Sequence, residues 1–478
     1  MPTVLASVRR PAAVLTALVM AGTVAATAVE GPASAGDRGA ARAHSAAVKV
    51  HRGGPDRTVT FHRGRKGEAF LDVTVSARGV SWAERKNESA VVSVYVDGHY
   101  ATDIVIMSSS PAKREFALGK VGQGRHTLRL HYAAAKSRSR AGVAKLAHLR
   151  VTTVRPSSPA YAAARYAPVL YGRALKALGG RFQNNRTDTP LVAWHQTLPA
   201  AKPGHSVIEY SVIWSNEDGG TNTPALMAQW GRTTDIEWVY RVEVDAHGKR
   251  VPGTGVIQAA NHVTKKFGGK YDGTHPLIQT CTSNNNVCDK VTDPMRFALS
   301  TREVLSRSRP REHEMDVHPW TYQVMAREMI REHQIEAPSD PLTVGVGDQR
   351  TYLYVAVDHD TAPSSSSASI GLAVDVRLKL DPTVYESNHD ITGWTILRDG
   401  PAATTVELPV GTRPVDVESI SVRRVPVGTD DDSTLTVTRL QRAFFLRSGY
   451  RPESSFAAWR GTAILTTASP TAQIWPAP

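Results

Sequence analysis

Between Val48 and Val154 apolar and polar residues alternate in short runs, at 58–62, 69–76, 91–95, 103–107, 126–132 and 149–154. Asp97-Gly98 and Gly122-Gln-Gly124 supply turns between them. A period of two places every second side chain on one face, and short runs joined by glycine turns predict an antiparallel β-sandwich over 47–154. Arg155-Pro-Ser-Ser-Pro159 breaks the pattern, as linkers do. A second region, 160–390, has apolar strand-like runs at 207–214, 236–244, 277–280, 351–357 and 370–379. It also has one convincing helix at 319–333, with Pro319 in its first turn and Pro338 beyond its end. Within that helix Tyr322, Met325, Met329 and Ile330 have the spacing of a core-facing stripe. A Ser-rich tip at 363–369 reads as a loop between two strands. From 391 to 478 short strands return, at 402–408, 415–425, 434–438 and 461–467, as a separate domain or as the completion of the central one. The expected class is mainly β: multidomain antiparallel β-sandwiches with one substantial helix near 319–333.

The first residues change the setting. Arg9 and Arg10 precede an apolar stretch from 11 to 29, and Ala33-Ser34-Ala35 follows, the pattern of an export signal over 1–35. Residues 36–46 then read as a flexible leader, and no later apolar segment is long enough to span a bilayer. The expected location is extracellular. A net charge of +13 favours contact with anionic surfaces, acidic polysaccharides and lipid head groups without selecting among them. The basic residues are scattered, so no specific nucleic-acid partner is expected. The only cysteines, Cys281 and Cys288, flank a short polar Asn-rich loop, which in an exported chain predicts a disulfide. No second cysteine pair is present for zinc, and no C-x-x-C spacing for redox chemistry.

The densest chemistry lies in 208–238. Asp235 and Glu237 stand two apart at the start of a strand and so share a face. Glu217 and Asp218 occupy a glycine-ended loop just before them, and His262 and His275 follow in turn-rich contexts. Asp235, Glu237, Asp218, His262 and His275 form a candidate oxygen-and-imidazole set for calcium or magnesium. Glu217, Asp235 and Glu237 equally suit acid/base work on a glycosidic bond. Trp214, Trp230 and Trp238 beside them are candidates for stacking on sugars, although strand tryptophans commonly belong to cores. The plain alternative has the two acids facing water or paired with Arg232 and Arg241. A reserve cluster, Arg311-Glu-His-Glu-Met-Asp-Val-His-Pro-Trp320, holds His313 and His318 five apart, unlike the H-E-x-x-H helix of zinc proteases. It reads as an acidic loop before the helix. The chain has no G-x-S-x-G elbow, no Walker loop and no dinucleotide-binding fingerprint.

The segment Gly231-Arg-Thr-Thr-Asp235-Ile-Glu237-Trp238, followed by a histidine and then His275-Pro276 before a strand, resembles the secreted β-sandwiches of the necrosis-inducing and vacuolar-sorting-related type. The resemblance implies a metal site with Asp235 and Glu237 as its acids. The family's hallmark G-H-R-H-D-W-E segment carries two histidines absent here, which argues against toxin-like activity. The segments V-S-V-Y-V-D-G-H-Y and G-R-H-T-L-R-L-H-Y resemble accessory sandwich modules of secreted carbohydrate enzymes. Three functions follow as expectations: a protein binding an extracellular glycan or lipid surface, with or without a metal; a polysaccharide hydrolase or lyase using paired carboxylates; and a non-catalytic envelope component.

Overall fold

The computed structural model describes residues 47–173, 186–217, 222–362 and 369–476. The expected export signal and leader, Asp218 and nearly all of the Ser-rich tip lie outside the described residues.

The N-terminal region is a sandwich of two four-stranded antiparallel sheets. One sheet runs Val48–His51, Val143–Val154, Gly67–Ser76, Ala112–Val121; the other runs Arg57–Arg63, Gly124–Tyr132, Ala90–Val96, His99–Ile106. The alternation that predicted these strands is the alternation of burial: in Gly124–Tyr132, Leu128, Leu130 and Tyr132 are inside and Arg125, Thr127 and His131 outside. The strand Ala112–Val121 escaped the sequence reading because Lys113, Arg114 and Glu115 dilute its apolar content.

The central region pairs a five-stranded antiparallel sheet, ordered Pro190–Pro199, Ser206–Trp214, Asp235–Val244, Val256–Ala259, Val263–Lys266, with a smaller sheet built on His275–Thr280 and Val169–Tyr171. Those last two strands run parallel, unlike the antiparallel pairs elsewhere in both sheets. A bulge between Tyr210 and Ser211 shifts the register against Trp238–Tyr240, a few residues from the acidic pair. The helix expected at 319–333 spans Trp320–Glu332, with Pro319 before it and His333 ending it in a left-handed conformation. Tyr322, Met325 and Met329 are buried as the stripe requires, whereas Ile330 is 37% exposed and lies off it. The segment before it, expected as a loop, contains a short helix, His313–Val317.

The third body is a complete sandwich of two four-stranded antiparallel sheets. Gly400–Glu407, Tyr352–Ala362, Thr434–Phe444 and Ala457–Leu465 form one; Asp381–Glu386, Ile370–Leu378, Val417–Pro426 and Thr471–Trp475 form the other. Strands from 352–386 and from 400–475 thus share both sheets, and residue 390 falls inside this sandwich, not at a boundary. It has its own core around Val355, Leu372, Val374, Ile420 and Leu440. The first two regions share one continuous core. Arg302 fastens them further, reaching Asp72 at 3.0 Å, Thr152 at 2.9 Å and Glu115 at 2.7 Å. Among the described residues no helix is long and apolar enough to cross a membrane.

Candidate functional site

Glu217 lies three residues beyond the strand Ser206–Trp214, and Asp235 and Glu237 open the neighbouring strand. Between them the helix Thr223–Trp230 is capped at its start by the Asn222 side chain, which accepts from the Ala225 N–H at 3.0 Å. Gly231 ends it at φ +66°, with its α-carbon against the Thr404 backbone of the C-terminal sandwich. A Cβ there would lie 3.0 Å from the Thr404 carbonyl oxygen, so both the left-handed turn and the close approach require glycine.

Three of the expected acids come together. Asp235 is 2% exposed and shares a hydrogen bond with Glu217. Burial, together with the negative charges of Glu217 and Glu237, pushes its carboxyl well above the usual range, against the opposing charge of Arg232. Burial thus favours the protonated form of Asp235. Glu237 is half-buried, accepts from the Gln258 amide, and faces His262 Nδ1 at 3.4 Å. That contact raises the imidazole above its ordinary value. His262 is mostly exposed, and Asn261 and His262 both adopt left-handed backbone, at φ 60° each. Two successive non-glycine residues in this region are costly, by roughly 1–3 kcal/mol each, and such conformations cluster at functional sites.

The disulfide loop completes the group. Cys281 and Cys288 are joined, with Cα atoms 5.8 Å apart. The loop they close directs one asparagine at Asp235 and two at His262. Asn285, at φ 55°, donates to Asp235 Oδ2 at 2.9 Å and to the Asn216 carbonyl at 3.2 Å. The Asn286 carbonyl oxygen of the side chain accepts from the His262 backbone at 3.3 Å, and Asn284 lies 3.3 Å from His262 Nε2. Gln258 Nε2 also contacts His262 Nδ1 at 2.8 Å. Among the described residues, Gln258 Oε1 and Asn286 Nδ2 are buried without a hydrogen-bond partner. Gln258, Asn284, Asn285 and Asn286 were not among the expected site residues. The signal was in the sequence as the Asn-Asn-Asn run between the cysteines, which suggests only a turn until the fold aims it.

Several expectations are corrected. His275 stands apart from this group: its Nδ1 donates to the Ala167 carbonyl at 2.8 Å and its Nε2 faces Glu68 of the N-terminal sandwich at 3.3 Å. Among the described residues no three histidine, cysteine or carboxylate side chains are arranged to hold a metal ion. With His275 elsewhere, the five-residue set for calcium or magnesium is not assembled. The tryptophans do not form a sugar platform. Trp214 and Trp238 are 1% and 8% exposed, and the Arg241 guanidinium covers Trp238 at 3.9 Å from its ring centre. Trp230 is covered by Arg398 at 3.8 Å. Nor do the arginines neutralise the acids in ion pairs, since Arg232 bonds Glu312 at 3.0 Å and Arg241 bonds Glu209 at 2.5 Å. In the reserve cluster, His313 faces Asp316 at 3.6 Å, and burial lowers His318 to about 4.

No family model and no curated protein matches this chain. Solved structures with similar parts include the CBM36-1 domain of a multidomain xylanase from the hindgut metagenome of Trinervitermes trinervoides, at 16% identity and a TM-score of 0.18, covering 22% of this chain and 77% of that one. Another is the EclA C-terminal domain, a sugar-binding protein, at 17% identity and a TM-score of 0.16, covering 26% of this chain and 87% of that one. The CBM22-1–CBM22-2 tandem of Paenibacillus barcinonensis Xyn10C aligns over 84% of this chain and 92% of that one, at 7% identity and a TM-score of 0.17. The chain is mainly β, as expected, with several antiparallel sheets and short helices.

Proposed function

We propose that this chain is an extracellular glycan-binding protein and that the group around Glu237, Gln258 and His262 contacts the glycan. The observation that carries the reading is the meeting of a carboxylate, an amide and an exposed imidazole: Gln258 Nε2 lies 2.8 Å from His262 Nδ1, and Glu237 faces the same nitrogen at 3.4 Å. A sugar hydroxyl both donates and accepts. A polyhydroxyl ligand therefore suits the donors and acceptors gathered around the exposed ring. Carboxylate, amide and imidazole edges are the planar polar groups that fix the orientation of such a ligand. The test is native gel electrophoresis of the folded chain in gels containing soluble neutral polysaccharides, with Gln258→Ala and His262→Ala in parallel. Retardation by a polysaccharide, lost in both variants, supports the reading. Retardation by none of the panel, or retained by both variants, overturns it.

The Asp235–Glu217 carboxyl pair favours a second reading, hydrolysis of a glycosidic bond. Glu217 would pass a proton to the leaving oxygen, Asp235 would resupply it, and Glu237 would take a proton from the water that adds to the anomeric carbon. Release of reducing ends by the wild type, and its loss in Glu217→Gln, separates this reading from binding alone.

A further inference from the structure

A cavity of about 430 Å³ opens between the N-terminal sandwich and the central region, on the side where His275 meets Glu68. That volume is within the roughly 300–1,000 Å³ of small-ligand sites. Its walls are held in place by direct bonds between the two regions. Ala117 N–H donates to the Ala298 carbonyl at 2.8 Å, Ala298 N–H donates to Thr102 Oγ1 at 3.1 Å, and Arg296 Nε donates to the Ala101 carbonyl at 2.9 Å. The cleft is thus preorganised, and a ligand need not order it.

The charges around it do not cancel. Its two carboxylates are already engaged, Asp97 by His126 at 2.6 Å and Asp272 by Arg296 at 2.5 Å. Arg165 and Lys120 also line it. The Arg165 guanidinium lies over the faces of Tyr161 and Tyr166, at 5.9 and 5.5 Å, and Lys120 is exposed. Among the described residues these two cations have no ion-pair partner, and His99 with the apolar side chains of Ala101, Leu118 and Val169 lines the same cavity. Cations and apolar side chains in one cavity match a sugar ring that carries a carboxylate: the ring's C–H face meets the apolar side chains and the anion meets Arg165.

We propose that this cleft binds a uronate-bearing oligosaccharide, with Arg165 and Lys120 pairing with its carboxylates. The site is separate from the one around His262. Calorimetric titration of the folded chain with a galacturonate trimer, a galactose trimer and inorganic phosphate tests it, at low and at physiological salt. The uronate trimer is expected to bind, to weaken with salt, and to lose about tenfold or more in affinity in Arg165→Gln and in Lys120→Glu. Lys120 is exposed, so its variant folds, and an unchanged melting curve confirms this for both. Gln258→Ala is expected to keep uronate affinity, which distinguishes failure here from failure at the other site. Equal affinity for the galactose trimer, phosphate binding as tight as the uronate, or full affinity in both variants overturns the proposal.

Discussion

Asn285 donates its side-chain amide to Asp235 Oδ2 at 2.9 Å, across fifty residues of sequence. The asparagine belongs to the disulfide loop and the aspartate to the central sheet, so this one bond locks the loop over the acids. Its left-handed backbone suits asparagine, which tolerates that region better than most residues.

The first prediction concerns Asp235. Its folded carboxyl titrates well above its unfolded value, so the folded state binds the proton more tightly. Stability from this group is full below the unfolded value, about 3.9, and declines as pH rises toward the folded one. Asp235→Asn keeps an acceptor for Asn285 and supplies a permanent donor for Glu217. The variant is expected to melt higher than the wild type at neutral and alkaline pH, with the difference shrinking toward pH ~4. A melting-temperature series against pH checks it; a difference independent of pH contradicts the assignment.

Glu314 offers the same logic away from the site. It is 2% exposed, its Oε2 has no partner among the described residues, and burial aided by Glu303 and Asp316 pushes it up to about 8. Ionising it costs the fold increasingly from its unfolded value, about 4.3, up to its folded one. Glu314→Gln is expected to stabilise at pH 7 by on the order of 3 kcal/mol, and by little near pH 4. Urea titrations at the two pH values measure the difference.

Arg302 balances Asp72 and Glu115, which are close enough that burial and the Glu115 contact raise Asp72 to about 6. Arg302→Ala leaves two neighbouring carboxyls without their cation. The expected loss, roughly 1–3 kcal/mol after allowance for partial exposure, is larger at pH 8 than at pH 5, where Asp72 takes up a proton and relieves the repulsion. Differential scanning calorimetry at both values tests this. Because Arg302 also joins the first two regions, the variant's lost stability is expected in the transition they share.

Replacing Cys281 and Cys288 together by serine frees the short loop they close. The chain-entropy model gives about 2–3 kcal/mol for so small a loop. The larger effect is expected at the site, since Asn284, Asn285 and Asn286 all depend on that closure. Polysaccharide retardation should fall in the double variant even where it remains folded. Retention of full retardation there would show that the asparagines find their places without the bridge.

Most strands of the two terminal sandwiches were legible because a half-buried strand must alternate, and the helix Trp320–Glu332 because its apolar stripe and flanking prolines are local. The disulfide was legible from two cysteines and a polar loop between them. Sequence spacing also placed Asp235 and Glu237 on one face, a consequence of the two-residue period alone. Tertiary structure decided the rest. It brought the 281–288 loop and Gln258 to those acids, turned His275 away to Glu68, and covered Trp230 and Trp238 with Arg398 and Arg241. It also joined strands from either side of residue 390 into one sandwich. Each of these outcomes depends on pairings between segments far apart in the chain. Periodicity states which side of a strand is buried, but which strand or loop buries it is settled only when the sheets pack.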